Sequence, residues 1–161
     1  MSLNAPSRKA HHGAGLRFGL VAARFNEQLV DGLLRRAQET LAEAGVHPQD
    51  TLVLRVPGSH EVPWAAHELA ASGQFDCVIA LGVLIGGDTN HHEMVGDSVS
   101  HALQSVSVQT RVPVINGVIV THTLAQAKAR CLGKIDRGAE FGHAALEMAA
   151  LRRTLRPGKK S

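Results

Sequence analysis

Hydrophobic positions along the chain fall into four short continuous runs, separated by longer segments in which they recur every three or four residues. The runs LRFGLVAA (16–23), DTLVLRVP (50–57), DCVIALGVLI (76–85) and RVPVINGVIV (111–120) have the length and composition of buried strands. After the first run, Leu29, Leu33, Leu34, Ala37 and Leu41 mark one face of a helix, with Asn26 placed to cap its start and Gly45 to stop it. Three more helices are predicted over 60–73, 91–110 and 123–133, and a last one over 139–155. Strands apolar on both faces and alternating with helices predict a central four-stranded parallel sheet covered on each side, a three-layer α/β/α sandwich wound by right-handed crossovers. Residues 16–155 form a single domain in this reading. Residues 1–15 are an unpatterned arm, mobile or docked on a partner, and 156–161 end in a basic tail.

Composition narrows the functional class. The 161 residues include only 3% aromatics and no Tyr, so a stacking surface for nucleic-acid bases is not expected. Of the excess positive charge, Arg152, Arg153, Arg156, Lys159 and Lys160 lie together near the end. Without a basic helix face or aromatic partners they read as a solvated terminus, with no nucleic-acid or membrane partner. Cys77 and Cys131 form neither a CxxC pair nor a disulfide framework. No stretch has the length of a membrane span or the pattern of a targeting signal, which predicts a cytoplasmic protein with reduced thiols.

In a parallel α/β sheet the ligand site lies at the carboxyl ends of the strands. Here those ends are 22–26, 57–61, 83–91 and 116–122, all polar or glycine-rich. The stretch Gly86-Gly87-Asp88-Thr89-Asn90-His91-His92-Glu93 follows the most apolar strand and opens a helix. Free amides and the helix dipole favour an anion there, and the amides of Gly87, Asp88 and Thr89 suit a phosphate. The stretch is neither GxxxxGK[ST] nor GxGxxG, which disfavours a nucleoside triphosphate or dinucleotide.

No metal is expected, because consecutive helix positions point about 100° apart and no HExxH is present. His101 and His122 are further candidate ligands, but no spacing requires them. His91 is a candidate acid–base group, since free imidazole titrates near pH ~6.5. His92 reads as a partly exposed helix residue. Phe25, beside Asn26 at the tip of the first strand, is placed to stack on a planar ligand. Ser59 and Glu61 follow a Pro-Gly turn. Glu61 is either a capping carboxylate, one residue short of the usual spacing from Ser59, or an acceptor for ligand hydroxyls.

ARFN, VPGSHEVP, LGVLIGGDTNHHEMV, VPVINGVIVT and KIDRGAEFGHAALEMA, in this order, resemble the successive signatures of the lumazine synthase family. That resemblance implies a flavodoxin-like fold and the condensation of 5-amino-6-(D-ribitylamino)uracil with 3,4-dihydroxy-2-butanone 4-phosphate, without cofactor or metal. It also implies a homopentamer, in some cases built further into a shell, with active sites between neighbouring subunits and the arm docked on a neighbour. By the same resemblance the pyrimidine would stack on Phe25, bordered by Val83, Leu84, Ile85 and Asn116. The ribityl chain would meet Asn26, Ser59, His60 and Glu61. The phosphate would sit on Gly87, Asp88 and Thr89, with Arg130 arriving across the subunit boundary. His91 matches the proton-transferring histidine, Arg137 a position usually held by Lys, and Glu140 the acidic residue after it. Four departures stand out: Gly86 replaces a common Arg or Lys, Asn116 a frequent Phe, His60 an often apolar residue, and the stretch 132–136 is one residue short. Two other readings remain open at this level. One is a non-catalytic homologue that binds a flavin-like ring or builds a shell; the other is a metal enzyme using His91, His92 and Glu93.

Overall fold

The computed structural model describes residues 4–156. Its strands are β1 (Phe18–Ala23), β2 (Thr51–Val56), β3 (Cys77–Ile85) and β4 (Val114–Thr121). Its helices are α1 (Glu27–Glu43), α2 (Val62–Ala71), α3 (His91–Thr110), α4 (Leu124–Cys131) and α5 (Arg137–Leu155). The four strands form one parallel sheet in the order β2-β1-β3-β4. The chain therefore leaves β1 toward one edge and returns through β3 on its other side. Such a reversal opens a crevice at the carboxyl ends of the two central strands, which is where this fold type holds ligands.

Two hydrophobic clusters hold the layers together. Phe18, Leu20, Ile79 and Leu81 pack one sheet face against Leu33, Ala37 and Leu146 of α1 and α5. Val21, Val78 and Ala80 pack the other face against Val62, Ala66, Val99 and Leu103 of α2 and α3. The helix layers are close-set because small residues line them. A Cβ on Gly138 would lie 2.6 Å from the Leu33 carbonyl oxygen, and one on Gly142 would lie 2.8 Å from Thr40 Cβ.

Burial on both faces holds for β1 and most of β3 but not for the outer strands. Leu52 on β2 and Val120 on β4 stay 43% and 44% exposed, because an edge strand has no neighbour to cover it on one side. The two cysteines are buried and free. Burial pushes the Cys131 thiol up to about 11, and raises that of Cys77 well beyond the usual range, so neither is a nucleophile. No helix among the described residues is long and apolar enough to cross a membrane.

Two local expectations change. Asn26 does occupy the N-cap position of α1, yet it sits in the left-handed region (φ 57°) and makes no side-chain cap. Its amide instead donates to the Val83 carbonyl at 2.8 Å, tying the tip of β1 to β3. Helix α5 begins at Arg137 rather than 139, because Asp136 caps it by accepting from the Ala139 N–H at 3.3 Å.

Arg152 and Arg153 are not a solvated tail. They lie on α5 and clasp Asp76, which is 4% exposed, with Arg153 Nε 2.6 Å and Arg152 Nη1 3.5 Å from Oδ1. Asp76 also accepts from the Arg17 N–H at 2.8 Å. Lys159 and Lys160 lie outside the described residues. At the other end, the Gly13 N–H donates to the Ala44 carbonyl at 2.7 Å, which anchors the base of the arm to its own chain. The arm residues from Asn4 to Ala10 are exposed.

Candidate active site

A cleft of about 490 Å³ opens over the carboxyl ends of β1 and β3. Phe25 forms one wall and is 72% exposed, far outside the range of a core phenylalanine. Its ring lies directly over Gly58: a Cβ there would sit 3.0 Å from Phe25 Cδ2 and 3.1 Å from Glu61 Oε2. A side chain at 58 would push the Phe25 ring and the Glu61 carboxylate back by a few tenths of an ångström, so glycine suits this close approach in an ordinary extended conformation.

The role of Glu61 follows from that glycine. The Gly58 N–H donates to Glu61 Oε2 at 2.8 Å, and the Glu61 N–H returns to the Gly58 carbonyl at 3.1 Å. The capping spacing is therefore complete when counted from Gly58 rather than Ser59. One carboxylate oxygen caps, and Glu61 lines the cleft. Ser59 is 4% exposed and lies under the cleft floor, where a Cβ on Gly82 would come 2.4 Å from its Oγ. That hydroxyl has no hydrogen-bond partner among the described residues. Leaving it so costs about 1–3 kcal/mol, which a ligand hydroxyl at the floor would recover. His60 lines the cleft and is exposed.

The opposite wall is the tip of β3 and the turn into α3. Val83, Leu84 and Ile85 border the cleft, followed by Gly87, Thr89 and His91, whereas Asp88 lies in the same turn without lining it. The amides of residues 87–89 have no backbone partner among the described residues. Gly86 donates its N–H to the Thr121 carbonyl at 2.7 Å, and a Cβ on it would lie 2.7 Å from the His122 carbonyl oxygen. A long cationic side chain at 86 would require the β4–α4 connection to move. The absence of a cation there is set by packing.

His91 and His92 diverge as helix geometry requires. His91 is exposed on the cleft, while His92 is 9% exposed and turned toward His122, ring centroids 5.7 Å apart at 84°. His92 is thus not the partly exposed helix residue that its position suggests, because α3 turns that face onto the β4–α4 connection. His92, Gly58 and Val95 all line the cleft and were not picked out as site residues from sequence. The Pro-Gly turn was the available signal for Gly58, and the adjacent His-His-Glu that raised the metal reading was the signal for His92; Val95 had none.

Four residues expected at the site are not brought to it within one chain. Arg130, on α4, donates from Nη1 to the Gln126 carbonyl of its own helix at 3.1 Å. Arg137 and Glu140 pair with each other in the first turn of α5, and the Arg137 guanidinium lies 5.0 Å from the Phe141 ring centre. Asn116, on β4, donates to Ser100 Oγ at 3.3 Å. None of these four lines the cleft.

Because Phe25 presents a bare ring face, Phe25→Ala should weaken binding of a planar heterocycle at least tenfold, whereas Phe25→Trp should bind it nearly as well. Equilibrium titration with a ribitylamino-substituted pyrimidine reads the difference, and equal losses in both variants would leave Phe25 a packing residue.

Fold and cleft together define a flavodoxin-like α/β/α protein whose ligand site opens at the switch point of a parallel sheet. The 6,7-dimethyl-8-ribityllumazine synthase family model matches residues 15–153, and the chain belongs to that family. It is 45% identical to the 6,7-dimethyl-8-ribityllumazine synthase of Aquifex aeolicus, over 88% of this chain and 93% of the relative. It is 43% identical to the enzyme of that name from Thermococcus gammatolerans, over 89% and 92%. Against that of Cupriavidus metallidurans the identity is 42%, over 86% and 80%.

Proposed function

We propose that this chain makes 6,7-dimethyl-8-ribityllumazine in riboflavin biosynthesis, as a cytoplasmic transferase that joins 5-amino-6-(D-ribitylamino)uracil to 3,4-dihydroxy-2-butanone 4-phosphate. The observation that carries this reading is the cleft itself, which sets an exposed aromatic face, an unpartnered hydroxyl and an amide-lined turn around one histidine. The pyrimidine amine attacks the ketone of the four-carbon substrate, and loss of water gives an imine. Elimination then expels phosphate, and the ribitylamine nitrogen closes the second ring with loss of further water. Each step moves protons and no electrons are exchanged with a redox group, so positioning and proton transfer account for the chemistry.

In this reading Phe25 stacks on the pyrimidine, with Val83, Leu84 and Ile85 along its edge. Asn26, Ser59, His60 and Glu61 meet the ribityl hydroxyls. The amides of Gly87, Asp88 and Thr89 hold the phosphate at the N-terminus of α3, where the dipole favours it as it departs. His91 transfers the protons. Arg130, Asn116, Arg137 and Glu140 serve the cleft of a neighbouring copy, which is why a single chain leaves them outside its own. The arm formed by residues 1–15 docks on that neighbour, beside the single domain over 16–155.

Two experiments test this. Mixing the purified protein with both substrates should give a product with the fluorescence of a lumazine, absent when either substrate is omitted. Retained pyrimidine binding with no product would favour the non-catalytic homologue. Light scattering should show a homopentamer or a multiple of it at micromolar concentration, and a stable monomer would remove Arg130 from the site.

A further inference from the structure

We propose that His92, Glu93 and His122 form a binding site for a divalent cation of the zinc class. The three residues come from two elements: His92 and Glu93 from the first turn of α3, His122 from the connection between β4 and α4. Each offers one donor atom, and the three atoms lie within 4.8 Å of one another. The Nε2 of His92 is 4.0 Å from Glu93 Oε1. Consecutive helix positions diverge by about 100°, but at a helix start the longer Glu93 side chain swings back to its neighbour.

The second observation is the state of His92. It is 9% exposed, yet neither ring nitrogen has a hydrogen-bond partner among the described residues. Buried imidazole nitrogens are almost always paired with protein, water or metal. Here the groups at hand are another imidazole and a carboxylate, which together are metal ligands. The backbone at 122 is held firmly: its N–H donates to Gln126 Oε1 at 3.0 Å, inside a capping box closed by Gln126 N–H to Thr123 Oγ1 at 3.2 Å. Gly86, just after β3, donates its N–H to the carbonyl of Thr121, the residue before His122.

Two imidazoles and one carboxylate suit zinc, cobalt or nickel, while magnesium and calcium take all-oxygen sets. Donors bonded at 2.0–2.2 Å in a tetrahedron stand about 3.4 Å apart. Small rotations of the exposed His122 and Glu93 side chains bring them there while His92 stays fixed. His92 also lines the cleft, as do Gly87 and Thr89 of the turn at residues 87–89, which carries Asp88 and no cationic side chain. The bound ion would supply positive charge beside that turn. Metal binding as such does not depend on what the cleft holds.

The test uses the full chain, stripped with chelator and titrated calorimetrically with zinc chloride at neutral pH. One zinc per chain should bind saturably, and cobalt(II) at the same site should show the strong visible absorption of tetrahedral coordination. Affinity should fall at least tenfold in His122→Asn and in His92→Phe, and stay unchanged in His101→Asn, a histidine elsewhere on α3. His122 is exposed, so its variant reads the site even if the His92 variant fails to fold. No saturable zinc binding, or equal affinity in wild type and His122→Asn, overturns the proposal whatever the turnover of the protein.

Discussion

Replacing His91 by alanine should lower kcat about 10²–10⁴-fold, the loss typical of a missing acid–base group. His91 is an exposed histidine of the cleft at the end of the amide-lined turn, whereas its neighbour His92, though it borders the cleft, is buried with its ring against His122. The loss should fall at the lower end of that range, because an aromatic amine and a ketone condense without help once they are held together. Both KM values should change little, since the amides of residues 87–89 and the Phe25 face remain. Arg130→Ala should do the reverse. Its expected effect is a raised KM for the phosphate-bearing substrate with pyrimidine binding intact, because a guanidinium from a neighbouring chain would act on the phosphate alone. Steady-state kinetics with each substrate varied in turn separates the two. Wild-type kcat in His91→Ala would remove that residue from proton transfer.

The largest effect on stability is expected at Asp76. This carboxylate is almost fully buried at the start of β3 and accepts from the Arg17 N–H, Arg152 and Arg153. It joins the last turns of α5 to the sheet. Cutting a buried ion pair on one side costs about 3–5 kcal/mol in general. The Arg153 side chain is 53% exposed and can turn into water when its partner goes. Asp76→Ala should therefore cost about 2–3 kcal/mol, measured by urea unfolding. Asp76→Asn still accepts from the Arg17 N–H and should lose about half as much. A cost under about 0.5 kcal/mol for Asp76→Ala would make the clasp equivalent to a surface ion pair.

The sequence itself carried the layering of this protein. Four unbroken apolar runs alternating with helical periodicity leave a parallel sheet covered by helices as the economical arrangement, and all four strands and the five helices lie where those patterns placed them, to within a few residues. It carried much of the location of the cleft as well, since the polar or glycine-rich carboxyl ends of β1, β2 and β3 line it, while that of β4 does not. Phe25 was legible for a local reason: an aromatic beside a loop asparagine at a strand tip has little core to enter. What the local pattern does not contain is which distant group a polar side chain meets. The Asn26 side chain bonds the Val83 carbonyl instead of capping its own helix. Arg152 and Arg153, read as tail charge, pair with Asp76. His92 reads as surface along the helix and becomes buried against His122 only once β4 pairs with β3 and carries the following connection alongside α3. Hydrophobic periodicity is a property of neighbours in the chain and survives in any sequence window. Hydrogen bonds, ion pairs and ligand sets are properties of neighbours in space, and the sheet order and helix packing alone create those.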